Sequence, residues 1–291
     1  MNSPDNNPER KAETFNAYVG RSRAEHDVVT ASQAQAMAAL LDRDPAEFRV
    51  GVALPEYWHW IYFKPIVPQS NLGIDGHPRR GTFLPPIELP RRMWAGGRLR
   101  FLQPIGIDDE IERTTEILSV KEKDGRSGKL VVLKLRHLIS NASGPCVDEQ
   151  QDLVYCEIPK PDQTSRQPTL PPDDIDWQET FTPNAVILFR FSALTFNGHR
   201  IHYDYPYVTQ VEGYRGLVVH GPLTALLLLE AAKRHATPAP ISYEYRAIGP
   251  LFNDEPITLA GRTKTDATES EIWAVGPTGA VAMQGRVGWK I

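Results

Sequence analysis

The residues best suited to chemistry lie close together in the stretch SALTFNGHRIHYD, residues 192–204. This stretch contains two histidines, His199 and His202, together with Asn197 and Arg200. A neutral imidazole can accept a proton near pH 7, and a side-chain amide can orient a water molecule. The combination predicts a catalytic loop.

The residue types of this loop allow two other interpretations. The H-x-x-H spacing could supply two metal ligands, but Gly198, the β-branched Ile201 and the nearby aromatic residues disfavour the helix that such a pair needs. No third ligand is marked, so no metal is expected. A dense polar loop could also bond mainly to itself, an interpretation that suits Tyr203 and Asp204.

A long apolar helix is predicted shortly after this loop. Residues 223–236, LTALLLLEAAKRHA, are apolar on almost every side over their first half, which is typical of a helix wrapped by a sheet. Pro222 suits the first helical turn, and Gly221 would let a ligand approach the backbone closely. Unpaired N–H groups and the positive end of the helix dipole favour a developing anion there. A tight turn at Gly221 is the simpler alternative.

The elements that must position these residues form two similar halves. Residues 98–157 alternate strand-like runs with hairpin turns, which predicts an antiparallel meander, and a second meander follows the apolar helix. PIGIDDEI, which begins at Pro104, and PLFNDEPI, which begins at Pro250, are similar at five of eight positions with an offset of 146 residues. We interpret the chain as two copies of one fold.

The two copies differ where the second has its long helix. The same offset places residues 75–90 at that position, inside a proline-rich run that cannot form a helix of ordinary length. The first copy is therefore expected to have an irregular loop there, which leaves an open channel beside its sheet. Earlier in the chain, a helix is predicted after Thr30 and a strand over the aromatic run YWHWIYF, residues 57–63.

These patterns divide the chain into two domains. An N-terminal domain is predicted at 1–158, a linker rich in proline and acidic residues at 159–177, and a C-terminal catalytic domain at 178–291. Residues 1–12 are polar and are expected to be frayed.

The catalytic loop and the motif VHGPLTA after it resemble the MaoC-like, R-specific enoyl-CoA hydratases and hydroxyacyl dehydratases. The motif of that family reads roughly S-G-D-x-N-P-I-H-x-D, followed by A-H-G-M-L-T-A, and its Ile-His and His-Gly elements match Ile201-His202 and His220-Gly221. The resemblance implies an α+β hotdog fold. The duplicated meander resembles the double-hotdog members, with two antiparallel sheets and the central helix kept in the C-terminal copy but replaced by a loop in the N-terminal copy.

The resemblance also implies roles for single residues. His202 matches the catalytic histidine, Asn197 stands at the catalytic aspartate, and Gly221 matches the glycine whose amide stabilises the thioester oxyanion. Because an amide cannot shuttle a proton, His202 is expected to do the acid–base work while Asn197 holds the water. His199 and Arg200 stand where the family has asparagine and proline, so both are candidates for a role specific to this branch.

The segment FSALTFNGHRIHYD most resembles the mesaconyl-C4-CoA and itaconyl-CoA hydratase branch and the related mitochondrial-type dehydratases. The hydratase branch implies reversible hydration of a dicarboxylic 2-enoyl-CoA. The free carboxylate of such a substrate needs a cation, for which Arg200 and Arg190 are candidates, with surface solvation or a loop carboxylate as the alternative. His199 and His220 are further substrate-binding candidates. No cofactor is expected beyond the coenzyme A of the substrate. Its diphosphate could be held by arginines in or beside the proline-rich run: Arg79, Arg80, Arg91 and Arg92.

The composition excludes several other classes of protein. Hydrophobic residues make up 41% and charged residues 23%, with a formal net charge of −4, so no nucleic-acid surface is expected. No apolar window is long enough for a membrane span, and no signal peptide is evident. With only Cys146 and Cys156, a disulfide framework is not expected and the cytoplasm is the default location. A homodimer is left open.

Three rival functions are kept beside the hydratase. A hotdog thioesterase would direct water at the carbonyl carbon instead of the β-carbon. A non-catalytic acyl-binding protein would explain the asparagine at position 197, and a zinc hydrolase would use the H-x-x-H pair.

Overall fold

The computed structural model describes residues 15–125, 128–157, 167–264 and 268–291. The strands of this part of the chain are β1 (Ser22–Val28), β2 (Arg91–Phe101), β3 (Glu110–Gly125), β4 (Gly128–Asn141), β5 (Gly144–Cys156), β6 (Trp177–Phe181), β7 (Pro240–Ala247), β8 (Ile257–Thr263), β9 (Glu269–Val275) and β10 (Val281–Trp289). Its α-helices are α1 (Ala31–Leu40), α2 (Ala185–Thr195), α3 (Tyr205–Gln210) and α4 (Gly221–Arg234). Single 3₁₀ turns lie at Pro45–Glu47, Trp58–Ile61, Gln69–Asn71 and Arg200–His202.

The ten strands form one antiparallel sheet in the order β1-β3-β4-β5-β2-β7-β10-β9-β8-β6. Read from the two ends inward, this order is the same in both halves: β1 corresponds to β6, β3 to β8, β4 to β9, β5 to β10 and β2 to β7. The fold is therefore α+β and duplicated, as predicted. One detail needs correction, because the two expected sheets are halves of a continuous sheet: β2 and β7 pair with each other and so leave no open edge at the joint.

The register at this joint confirms the sequence repeat. Arg98 of β2 is paired with Glu244 of β7, and these two positions differ by the same 146 residues that separate Pro104 from Pro250. A residue that pairs with its own counterpart must lie on the pseudo-twofold axis that relates the two copies. The pair is also bonded through its side chains, with 3.1 Å between Arg98 Nε and Glu244 Oε1.

The central helix is present in one half only. In α4, every residue from Leu223 to Ala232 is buried, and the helix packs against β7, β8, β9 and β10. In the first half, residues 75–90 contain neither helix nor strand, as predicted. The predicted helix after Thr30 is also confirmed, since α1 begins at Ala31.

The strand predicted over residues 57–63 is wrong. This segment forms the 3₁₀ turn Trp58–Ile61 instead. Its side chains are buried on several sides rather than on alternate ones: Tyr57 Oη donates to Tyr245 Oη at 3.2 Å, and Trp58 Nε1 donates to Glu230 Oε1 at 3.0 Å. The many aromatic residues of this segment contact both halves of the molecule rather than forming a strand.

The predicted domain boundaries stay a prediction. Residues 167–176 of the expected linker contain neither helix nor strand, and Trp177 is the first residue of β6. The remainder of the linker, 159–166, lies outside the described residues, and so does the N-terminal segment 1–12. Within the described part of the chain, no helix is long and apolar enough to cross a membrane.

Candidate active site

A cavity of about 1080 Å³ lies between the two halves of the molecule. The second half contributes part of the loop after α2 and the first turn of α4, and the first half contributes the segment around Trp60, the proline-rich run and the start of β2. Of the residues predicted from the sequence, the cavity wall brings together Asn197, His199, Arg200, His202 and Gly221.

His202 is held as a neutral base. It ends the 3₁₀ turn Arg200–His202, and its Nδ1 donates to the carbonyl oxygen of Val218 at 2.7 Å. That bond assigns the proton to Nδ1 and leaves a lone pair on Nε2. Burial lowers the pKa of His202 from 6.5 to about 4, although the bond to Val218 opposes the shift. The ring is therefore uncharged at pH 7.

Asn197 follows the end of α2 and has its amide fixed by the backbone. Its Oδ1 accepts a hydrogen bond from the backbone N–H of His199 at 3.0 Å. This bond identifies which atom of the side-chain amide is the oxygen and which is the nitrogen. The Nδ2 group then has two protons to donate. Nδ2 can donate to the oxygen of a water molecule, but the amide cannot take a proton from that water.

Gly221 is the first residue of α4, where the helix dipole is positive. No side chain among the described residues caps this end of the helix, so first-turn N–H groups stay available for a ligand. A Cβ on Gly221 would lie 2.7 Å from Cε3 of Trp94. The close packing against Trp94 therefore requires a glycine at this position.

The structure does not support the predicted substrate contact of His220. Its ring is stacked on that of His202 with 3.5 Å between centroids, and it meets Phe191 on another side. Its Nε2 is 2.8 Å from Oγ of Ser192, and the residue is only 1% exposed. His220 does not line the cavity. It lies behind His202 and fixes the orientation of that ring.

The two arginines that were predicted to bind the substrate carboxylate lie in different surroundings. Arg200 lines the cavity, but its Nη2 and Nε donate to Oδ2 of Asp204 at 2.7 and 2.9 Å, and its Nη1 donates to the carbonyl oxygen of Ile74. A carboxylate of the loop itself already occupies this guanidinium. Arg190 is exposed on α2 and does not line the cavity.

Residues 75–77 of the proline-rich run pack on the catalytic loop. No function was predicted for them from the sequence. A Cβ on Gly76, whose φ is +87°, would lie 1.9 Å from the carbonyl oxygen of Gly198. Next to it, the ring of His77 lies 4.2 Å from that of His199, and its Nδ1 is 3.2 Å from Oδ2 of Asp75. The only sequence signal was a titratable D-G-H within a loop.

Asp75, His77 and His199 could hold a divalent cation, because one ligand atom from each lies within 4.8 Å of the others. The nearby positive charge of Arg92 opposes a bound cation, whereas lowered pKa values keep both histidines neutral and able to bind one. Burial, and then the nearby positive charge of Arg92, lowers the pKa of His77 despite its bond to Asp75. Burial is also the main reason why the pKa of His199 is lowered, with His77, His202 and Arg92 adding to the shift.

Buried charged and polar groups lie at the first-half end of the cavity. Glu149, which is only 2% exposed, accepts from Trp60 Nε1 at 3.2 Å and lies 3.0 Å from Nε2 of His59. Burial acts to raise the pKa of Glu149, but the bond to His59 and the charges of His59 and His137 hold it below its ordinary value. These polar groups lie among apolar side chains of the same half, including Phe63, Ile139 and Leu153.

Comparisons with known proteins agree on one family. A family model described as hydroxyacyl-thioester dehydratase type 2 matches residues 57–253. The chain is 43% identical over 271 residues to mesaconyl-C(4)-CoA hydratase of Chloroflexus aurantiacus, covering 93% of this chain and 96% of that protein. It is 28% identical over 234 residues to the mitochondrial hydroxyacyl-thioester dehydratase type 2 of Schizosaccharomyces pombe, covering 69% and 75%.

Solved structures agree on the fold. A MaoC-like dehydratase from Phytophthora capsici has a TM-score of 0.71 at 14% identity and covers 96% of this chain and 97% of its own. A Mycobacterium tuberculosis protein described as having a double hotdog fold has a TM-score of 0.55 at 13% identity, with coverage of 93% and 96%. The duplicated sheet is thus a double hotdog.

Proposed function

The chain belongs to the hydroxyacyl-thioester dehydratase type 2 family, and from that premise we propose that it catalyses the reversible hydration of a 2-enoyl-CoA thioester. One observation carries the proposal: the neutral, Nε2-unprotonated His202, the amide of Asn197 and the uncapped end of α4 line the same cavity. Together they provide a base, a holder for water and an oxyanion site. The protein is accordingly a hydro-lyase.

Hydration begins at the thioester carbonyl. The N–H of Gly221 donates to the carbonyl oxygen, which withdraws electrons from the β-carbon and prepares it for attack. A water held by Nδ2 of Asn197 adds its oxygen to the β-carbon while His202 Nε2 takes one of its protons. The resulting enolate is stabilised at the positive end of α4, and such donors contribute about 3–4 kcal/mol in other enzymes.

Protonation of the α-carbon completes the reaction. The proton that His202 took from the water is delivered to the α-carbon, so one water is added across the double bond and the base is restored. Dehydration of the 3-hydroxyacyl-CoA is the same path in reverse. This mechanism needs no cofactor besides the coenzyme A of the substrate. A cytoplasmic location is part of the proposal.

The proposed acyl group is short, branched and dicarboxylic, with mesaconyl-C4-CoA as the first candidate and itaconyl-CoA as the second. Support comes from the name of the relative that is 43% identical and from the charged and polar side chains in the cavity wall.

Hydration can be tested directly on the purified protein. Mesaconyl-C4-CoA and crotonyl-CoA are incubated with it, and mass spectrometry follows the gain of one water, while a thiol reagent follows free coenzyme A. We expect hydrated product without release of coenzyme A. Release of coenzyme A without a hydrated product would indicate a thioesterase, and binding without turnover on either substrate would indicate an acyl-binding protein.

A further inference from the structure

Three arginines line the cavity, and their partners differ. Arg200 is bonded to Asp204, and Nη2 of Arg113 donates to Oε2 of Glu25 at 2.8 Å. The guanidinium of Arg92 forms no hydrogen bond or ion pair with any residue that the structure describes. A partly buried cation without a partner is costly unless an anion binds it.

The position of Arg92 in its strand brings it near the reacting atoms. Arg92 and Trp94 are two residues apart in β2, so their side chains share one face of the sheet. On that face Trp94 meets Gly221 at the start of α4. The charge of Arg92 also acts on His77 and His199, whose pKa values it lowers. Arg92 thus lines the same cavity as Gly221 and lies within electrostatic range of the catalytic loop.

We propose that Arg92 binds the free carboxylate of a dicarboxylic 2-enoyl-CoA and so determines the specificity of the enzyme. The inference rests on the proposed function and names the substrate class of the same site. In mesaconyl-C4-CoA the free carboxylate is attached to the carbon that the water attacks. Its binding group must therefore lie beside the catalytic loop, where Arg92 is and where a planar guanidinium can form two parallel bonds to a carboxylate.

Two ligands other than the substrate carboxylate could bind in this region. A divalent cation at Asp75, His77 and His199 would be repelled by the unpaired charge of Arg92. The diphosphate of coenzyme A is an anion that Arg92 could bind equally well in chemical terms. Such binding would act on every CoA ester alike, whereas carboxylate recognition acts only on dicarboxylic ones, so the two are separable by experiment.

Succinyl-CoA and butyryl-CoA are suitable probes, because neither can be hydrated and they differ only in a terminal carboxylate or methyl group. Calorimetry on the wild type is expected to show tighter binding of succinyl-CoA. In Arg92→Gln its affinity is expected to fall about 10- to 100-fold, as for loss of a charge-assisted hydrogen bond, with a change below about threefold for butyryl-CoA. The kcat/KM for mesaconyl-C4-CoA is expected to fall by a similar factor, mainly through KM.

Arg286→Gln is the matched control, since Arg286 is exposed on β10 and does not line the cavity. Circular dichroism checks that both variants fold. Equal affinity of the wild type for the two probes, or equal losses on both in Arg92→Gln, would overturn the proposal. Failure of the wild type to hydrate mesaconyl-C4-CoA while it still prefers succinyl-CoA would instead overturn the proposed function and leave carboxylate binding by Arg92 standing.

Discussion

At the scale of single residues, the reaction depends most on the free nitrogen of His202. We expect His202→Gln to lower kcat for hydration by about 10²–10⁴-fold, because glutamine cannot accept the proton that a general base removes. Steady-state kinetics on mesaconyl-C4-CoA would measure the loss. A folded variant with near wild-type turnover would show that His202 is not the base.

The pH dependence of the reaction follows from the same ring. Only the neutral form of His202 can act as base, and burial lowers its pKa from 6.5 to about 4. The acid limb of the kcat/KM profile is therefore displaced to lower pH, and we expect kcat/KM to stay flat between about pH 8 and pH 5. Measurement across this range decides the matter, since a midpoint near the ordinary histidine value would contradict it.

A substitution of Asn197 tests how the water molecule is bound. In Asn197→Asp, one carboxylate oxygen can still accept the N–H of His199, but the other replaces the donor Nδ2. We expect kcat at pH 7 to fall about tenfold, the cost of one lost hydrogen bond, and to recover as the pH falls and the new carboxyl group gains a proton to donate. A variant more active than the wild type at pH 7 would mean that position 197 takes part in proton transfer.

At the scale of elements, the contact between the proline-rich run and the catalytic loop can be separated from backbone strain. Gly76 and Gly51 have similar φ angles, +87° and +84°, but only at Gly76 would a Cβ strike another backbone. Alanine at either position is expected to lower the free energy of unfolding by about 1–2 kcal/mol for the left-handed conformation. Gly76→Ala should also displace the catalytic loop.

The displacement should appear in the kinetics. For Gly76→Ala we expect a loss of about 10²-fold in kcat/KM, the order of effect that a misplacement of about 1 Å has on an enzyme, while Gly51→Ala retains full activity. Kinetics and urea unfolding of both variants check this. Equal kinetic effects of the two substitutions would mean that the contact between Gly76 and Gly198 does not hold the catalytic loop in place.

Sequence patterns predicted those elements whose evidence is local. The helix α4 was evident from its apolar run and from Gly221-Pro222, and the duplication from hairpin turns and from the repeat at Pro104 and Pro250. The segment 57–63 was not, because its aromatic side chains are fixed by contacts with the opposite half of the molecule. No local period distinguishes such a bridge from a strand.

At the scale of the whole molecule, local sequence patterns also fail to reveal those site residues that come from the other half. Asn197, His202 and Gly221 lie within 25 positions of one another, and their motif could be read from the sequence. Arg92 and His77 come from the other half and reach the cavity only because β2 pairs with β7 and the proline-rich run covers the catalytic loop. The bond of Arg200 to Asp204 was only one of two alternatives open from the sequence, because it depends on a side-chain conformation that spacing does not reveal.

The continuous sheet also predicts how the molecule unfolds. Buried bonds cross between the halves at Tyr57–Tyr245 and Trp58–Glu230, and β2 pairs with β7 along the joint. Unfolding either half alone would expose these groups and the edge of the sheet, so we expect both halves to unfold in one transition. Hydrogen exchange pulse labelling across a urea series, read on peptides from each half, measures the two midpoints separately.

Trp58→Leu makes this expectation sharper. The substitution removes the donor to Glu230 and part of a fully buried side chain that belongs to the first half, and such losses cost about 3–5 kcal/mol in protein cores. Because Trp58 packs on the central helix of the second half, the urea midpoints of peptides from both halves should fall together. A lower midpoint confined to first-half peptides would show that the two hotdog copies are energetically independent, and the shared cavity would then rest on docking between them rather than on one cooperative core.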